Sequence, residues 1–245
     1  MRRLAVLELD GTLTPDLLGG LLMRELVARG VCATREGQRM LELLTRHRSG
    51  LQGVAVTAVE VYQAFGRAVE GVAASVVERV AEVVWSRSRA RLHPYVKPLV
   101  RELDREGFLV ALVSSSPMEM VHLVATELGI DICRGAVLEI RRNRYTGSML
   151  EAPGLVGARR RILLELAALH QASLPDSLAM GNAVADAELL ERVGLPVAFE
   201  PVEVLAQQAA QRGWPVVHRH DVRAFLTSLV ARPAPPRCEV VRFGL

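Results

Sequence analysis

Lysine is almost missing from this chain of 245 residues: Lys97 is the single one among 30 basic side chains. The skew toward arginine reads as a coding bias, so an arginine where chemistry would favour lysine carries little weight by itself. Cysteine is scarce too. Cys32, Cys133 and Cys238 are far apart and form no CxxC pair, which excludes a disulfide framework and a thiolate zinc site and suits a reducing cytoplasm. No stretch reaches the roughly 18 apolar residues of a membrane span. The apolar run after Met1 meets Glu8 and Asp10 too soon for a signal peptide, so no membrane partner is expected. Long polar tracts are lacking as well, and with 50% hydrophobic and 23% charged residues the composition is globular. The net charge of +3 is small. The clusters Arg141, Arg142, Arg144 and Arg159, Arg160, Arg161 have no interleaved aromatics, so they read as solvated faces and no nucleic-acid partner is expected.

What is present is an alternation of strand and helix. LAVLEL over 4–9 is a short apolar run that stops at Asp10-Gly11-Thr12 and predicts a buried strand. Phe108–Val113 follows the helical PLVRELDREG and stops at Ser114-Ser115-Ser116-Pro117, predicting a strand and then a hydroxyl-rich turn. Ser177–Met180 follows the amphipathic ARRRILLELAALH and ends at Gly181-Asn182, and LPVAFEP follows ADAELLERVG. This order predicts an α/β fold, a Rossmann-like and mainly parallel sheet with right-handed crossovers. The three polar turns lie at strand C-terminal ends, where such sheets place ligands. Between the first two strands, segments near 16–30, 34–48, 54–72 and 75–91 carry apolar residues at helical spacing. They predict a small helical cap over 15–92, leaving 1–14 and 93–230 as the α/β core. Residues 231–245, rich in proline and arginine, read as a linker or poorly ordered tail.

Three constellations could carry chemistry. Strand alternation puts Glu8 and Asp10 on one side, so two carboxylates can address one ligand, as nucleophile or metal ligand and as acid/base. Ser114, Ser115 and Ser116 offer hydroxyls and N–H groups at a helix start, which suits a phosphate oxygen, although a plain N-cap has the same look. Asn182 and Asp186 place two oxygen-bearing side chains four apart after a strand, a spacing that can serve a hard cation.

In that order and spacing the chain resembles the haloacid dehalogenase superfamily, in the helical-cap subclass that includes phosphoserine phosphatases. The family's Asp-x-Asp-Gly-Thr looks like Glu8 to Thr12, its serine or threonine turn like Ser114 to Ser116, and its Gly-Asp-x-x-x-Asp like Gly181 to Asp186. GAVLEIRRNRYTGSML, ADAELLERVGLPVAFEP and RGWPVV are similar to stretches typical of the subclass, and the resemblance covers roughly residues 1–230. It implies an aspartate nucleophile that takes up the phosphoryl group and a second aspartate as acid/base. It also implies Mg2+ held at positions Glu8, Asp10, Asn182 and Asp186, and phosphate contacts from Thr12, Ser114, Ser115 and a lysine that maps to Arg159 or Arg160.

The departures fall on those positions. Glu8 replaces the nucleophilic aspartate, and its extra methylene moves the carboxylate by roughly one C–C bond, about 1.5 Å. A misplacement near 1 Å can cost on the order of 10²-fold. Asn182 replaces an acidic metal ligand and lowers the expected affinity for Mg2+, which is then weak or absent. Arginine keeps the lysine's charge and can bind phosphate bidentately. Asp16, Arg46, His47, Arg48 and Tyr62 are cap candidates for substrate contact, and GVAVTAVEVYQAFG lacks the arginine-bearing pattern associated with phosphoserine recognition. The expectation is a divergent member that binds a small phosphorylated or anionic molecule, with the phosphatase reaction impaired or repurposed. A working Mg-dependent phosphomonoesterase and a non-catalytic binding protein are the alternatives.

Overall fold

A computed structural model describes residues 1–48 and 54–230. The tail 231–245 and the side chains of His47 and Arg48 lie outside the described residues. Strand β1 (Arg3–Glu8) is followed by four helices, α1 (Leu18–Ala28), α2 (Thr34–Arg48), α3 (Val54–Val69) and α4 (Ala74–Ser88). Then come α5 (Val96–Arg105), β2 (Phe108–Pro117), α6 (Met118–Leu128), β3 (Ile132–Arg141), β4 (Arg144–Glu151) and α7 (Ala158–His170). The chain continues through β5 (Leu178–Gly181), α8 (Ala187–Leu190), β6 (Leu195–Phe199), α9 (Glu203–Arg212), β7 (Val216–Val217) and α10 (Val222–Val230).

The strands form one sheet in the order β4-β3-β2-β1-β5-β6-β7. All pairings are parallel except β3 with β4. The four strands expected from the sequence are therefore joined by three more. The antiparallel pair β3–β4 is turned by Arg142 and Asn143, both at positive φ (49° and 61°), the backbone of a tight hairpin in which asparagine is favoured. The serines expected in a turn after β2 instead lie within it, because the strand continues to Pro117, which pairs with Ala136 across an irregularity in register.

Alternation along β1 assigns its faces. Ala5 and Leu7 enter the core shared with α1, α4, α5 and α6, whereas Leu4 and Val6 enter a second core with Ile162, Leu163 and Leu166 of α7. Both faces are covered, so the strand reads as a nearly continuous apolar run. By the same period Glu8 falls on the α7 side. Helix α7 carries its apolar stripe at Ile162, Leu163 and Leu166, and one turn earlier that stripe passes through Arg159. The sheet and helix thus aim Glu8 and Arg159 at each other. Helices α1–α4 pack against one another, against α6 and against β2 and β4, beside the C-terminal end of β1.

Candidate active site

The chain leaves β1 through a tight loop in which the Leu9 carbonyl accepts from the N–H groups of Thr12, Leu13 and Thr14. Gly11 turns it at φ +94°, a conformation that favours glycine, and the missing Cβ leaves the space that the Asn182 side-chain amide occupies. This loop brings the first and third constellations together. Glu8 is buried, its Oε1 accepting from the Asp10 N–H at 3.0 Å and its Oε2 left without a partner. Asp10 Oδ1 accepts from the Leu18 N–H at 2.7 Å, and Oδ2 from Ser114 Oγ at 2.5 Å.

The serine strand is largely engaged in internal bonds. Ser114 Oγ also accepts from the Ser116 N–H at 2.9 Å, and Ser116 Oγ accepts from the Gly19 N–H at 2.9 Å. Ser115 Oγ accepts from Arg159 Nη2 at 3.1 Å. Thr12 Oγ1 is buried with no hydrogen-bond partner. Tyr62 reaches in from α3: its hydroxyl donates to the Ser115 carbonyl at 3.3 Å and accepts from the Gly154 N–H at 2.8 Å.

Of the two arginines that the sequence left open, Arg159 enters the cluster and Arg160 is exposed, only its backbone N–H engaging Glu188. Arg159 is buried, its Nε donating to the Pro153 carbonyl at 3.3 Å. Nη1 is in direct contact with Asp186 Oδ1, and Nη2 lies 3.8 Å from Glu8 Oε1. Asp186 Oδ2 accepts from the N–H groups of Asn182 and Ala183 at 2.9 and 2.8 Å, while Asn182 Oδ1 is buried and unpartnered. The bias toward arginine gives the lysine-to-arginine exchange little weight in the sequence. The structure puts Arg159 between two carboxylates, and the stripe Ile162, Leu163, Leu166, extended by one turn, is the signal that singles it out.

Burial dominates the electrostatics. It pushes the Glu8 carboxyl up to about 8 against the pull of Arg159, with Asp10 adding to the rise. Burial also raises Asp10, opposed by the hydrogen bonds from Ser114 and Leu18. A cluster of this kind can hold a proton on a carboxyl near neutral pH and offer a fixed cation to an anion. Of the other cap candidates whose side chains are described, Asp16 and Arg46 do not join it. Asp16 pairs with Arg91, and Arg46 lines a charged groove with Arg35, Arg39, Glu42 and Glu60 on α2 and α3.

Comparison with known proteins gives a consistent picture. Residues 5–191 match the haloacid dehalogenase-like hydrolases. The chain is 30% identical over 208 residues to a phosphoserine phosphatase of Archaeoglobus fulgidus, an alignment covering 85% of this chain and 55% of that protein. The chain thus spans about half the length of that relative. A crystal structure of a protein of unknown function from Bordetella pertussis Tohama I superposes with a TM-score of 0.74 at 24% identity, covering 89% of this chain and 99% of that one. A phospho-aspartyl intermediate analogue of phosphoserine phosphatase superposes with a TM-score of 0.68 at 19% identity, covering 93% and 98%. At those identities the likeness is one of fold.

Proposed function

Because the chain belongs to the haloacid dehalogenase-like hydrolase family, we propose that this cluster is its ligand site, that it takes a small phosphorylated or otherwise anionic molecule, and that the family's phosphatase reaction is impaired or repurposed in it. The observation that carries the reading is the state of Glu8. Its carboxyl is buried, one oxygen is held by the Asp10 N–H, and the Arg159 guanidinium lies 3.8 Å away. Burial pushes the pKa of Glu8 up to about 8, which favours the protonated form, and a protonated carboxyl is a poor nucleophile. Asp10, aimed by Leu18 and Ser114, is the better placed group for proton transfer, and the Thr12 hydroxyl and the Arg159 fork are the donors for an anionic ligand. The free thiols of Cys32 and Cys133 suit a reducing cytoplasm.

The family resemblance implies Mg2+ at this site. That ion wants a near-octahedral shell of oxygens at about 2.0–2.1 Å. Among the described residues no group of three or more His, Cys, Asp or Glu side chains is disposed to hold a metal. The unpartnered Glu8 Oε2 and Asn182 Oδ1 do offer oxygens, but Asn182 adds no charge and the guanidinium of Arg159 already lies on the carboxylates of Glu8 and Asp186. As arranged, these residues do not fit Mg2+.

A working phosphomonoesterase is the second reading. It is favoured by the oriented Asp10 and by the sequence likeness to a phosphoserine phosphatase. Steady-state turnover of a generic aryl phosphate, with and without chelator, separates the two. The expected result is turnover far below the roughly 1 s⁻¹ of a competent enzyme. Turnover at or above that rate, abolished by chelator, overturns the proposal in favour of the second reading.

A further inference from the structure

Glu8, Asp10 and Asp186 are three buried or half-buried carboxyl groups in one cluster, and whatever negative charge they carry out of water calls for a counter-charge. The buried fork of Arg159 supplies it. Nη1 meets Asp186, Nη2 meets Ser115 and faces Glu8, and Nε is tied to the Pro153 carbonyl. We infer that Arg159 is a tethered cation that fills the space between Glu8 and Asp186 and makes the site independent of divalent metal ions. This deepens the reading above and rests on the same cluster being the ligand site.

Three features argue for it. The oxygens open to a divalent ion are Glu8 Oε2 and Asn182 Oδ1, of which the second is neutral, while Glu8 Oε1 and Asp186 Oδ1 already face the guanidinium, so the ion would bring two positive charges beside a third with little negative charge left to offset them. Asp186 cannot back away to make room. Its Oδ2 is held by the backbone N–H groups of Asn182 and Ala183. Arg159 is equally held, because it sits in the first turn of α7 with its stem on the buried stripe and its Nε on a backbone carbonyl. Arginine suits this duty where lysine would not: a planar fork can face two carboxylates and a hydroxyl at once, whereas an ammonium is a single point charge.

The test is Mn2+ binding to the full chain, read by the paramagnetic resonance of free Mn2+, together with melting in chelator and in millimolar Mg2+. The unmodified protein is expected to take up no Mn2+ at sub-millimolar concentration and to melt at the same temperature in both conditions. Arg159→Met is expected to gain Mn2+ affinity by at least about tenfold, because the carboxylates of Glu8 and Asp186 are left without a cation, and to melt higher when Mn2+ is added. Sub-millimolar Mn2+ uptake by the unmodified protein, or a folded Arg159→Met that gains none, overturns the inference. If Arg159→Met does not fold in chelator, recovery of its fold by Mn2+ supports the inference and the titration of the unmodified protein decides it. Competent turnover that survives chelator would remove the proposal of an impaired enzyme and leave this one standing. Mn2+ uptake without turnover would do the reverse.

Discussion

Arg159 and Arg161 are two residues apart on α7, and each lies between two carboxylates. Arg161 bonds Glu151 at 3.1 Å and Glu165 at 2.8 Å with half of its side chain in water, 51% exposed. Arg159 faces Glu8 and Asp186 at 3% exposed. The charges are the same and the surroundings are not. In water the ions of a pair are already well solvated, and holding two long side chains together gains about 0–1 kcal/mol. Inside the protein the pair is expensive to desolvate, and removing one partner strands the other at a cost of about 3–5 kcal/mol. One helix therefore carries a surface decoration and a structural necessity a half-turn apart, and the sheet beneath decides which is which.

The most severe way to break that contrast is Arg159→Met, expected to lower stability in chelator by about 3–5 kcal/mol as measured by urea denaturation. A loss under about 1 kcal/mol would mean that the carboxylates of Glu8 and Asp186 are not paired with it in solution. Next in size is a gain of function. Glu8→Asp combined with Asn182→Asp restores the carboxylate set, and the Arg159→Lys change added to them vacates the space between Glu8 and Asp186. Phosphomonoester turnover is expected to rise by at least ~10²-fold in the triple variant and by more than the product of the single effects, since parts that act as a unit are non-additive. If the departures at Glu8 and Asn182 were the whole block, the two carboxylate changes would suffice. A silent double variant beside an active triple one would locate the remaining block at Arg159.

A smaller effect is set by pH. The Glu8 carboxyl is raised from 4.5 to about 8 in the fold, so the folded protein keeps a proton that the unfolded chain loses. Stability is then fully present below about pH 4.5 and declines as pH rises toward 8, where the curve levels. Glu8→Gln removes that part of the decline. Melting temperatures of both proteins across the window should diverge progressively toward the alkaline end, and parallel curves would refute the assignment. Smallest is Arg161→Ala, expected to change stability by under about 1 kcal/mol. A larger loss would erase the distinction between the two arginines.

Much of the scaffold was legible because its signals are local. Apolar runs ended by Asp10-Gly11, Ser114-Ser115 and Gly181-Asn182 mark three strands, and the 3.6-residue spacing of apolar side chains marks α1–α4. The hairpin β3–β4 escaped the strand reading because its first strand has irregular burial and its second is half exposed, although Arg142-Asn143 carried a turn signal. The residues Glu8, Asp10, Ser114, Ser115, Asn182 and Asp186 could be nominated from spacing, since they lie near the C-terminal ends of β1, β2 and β5, where open α/β sheets place ligands. Their states could not. Whether a carboxyl is charged depends on what surrounds it, and the surroundings of Glu8 come from chain segments some 150 and 180 residues away. The motif supplied the atoms of the site. The parallel pairing of β1 with β2 and β5 and the phase of α7 against the sheet decided which arginine reaches them and how far the Glu8 carboxyl is lifted, because desolvation and ion pairing are properties of a packed neighbourhood and not of a sequence interval.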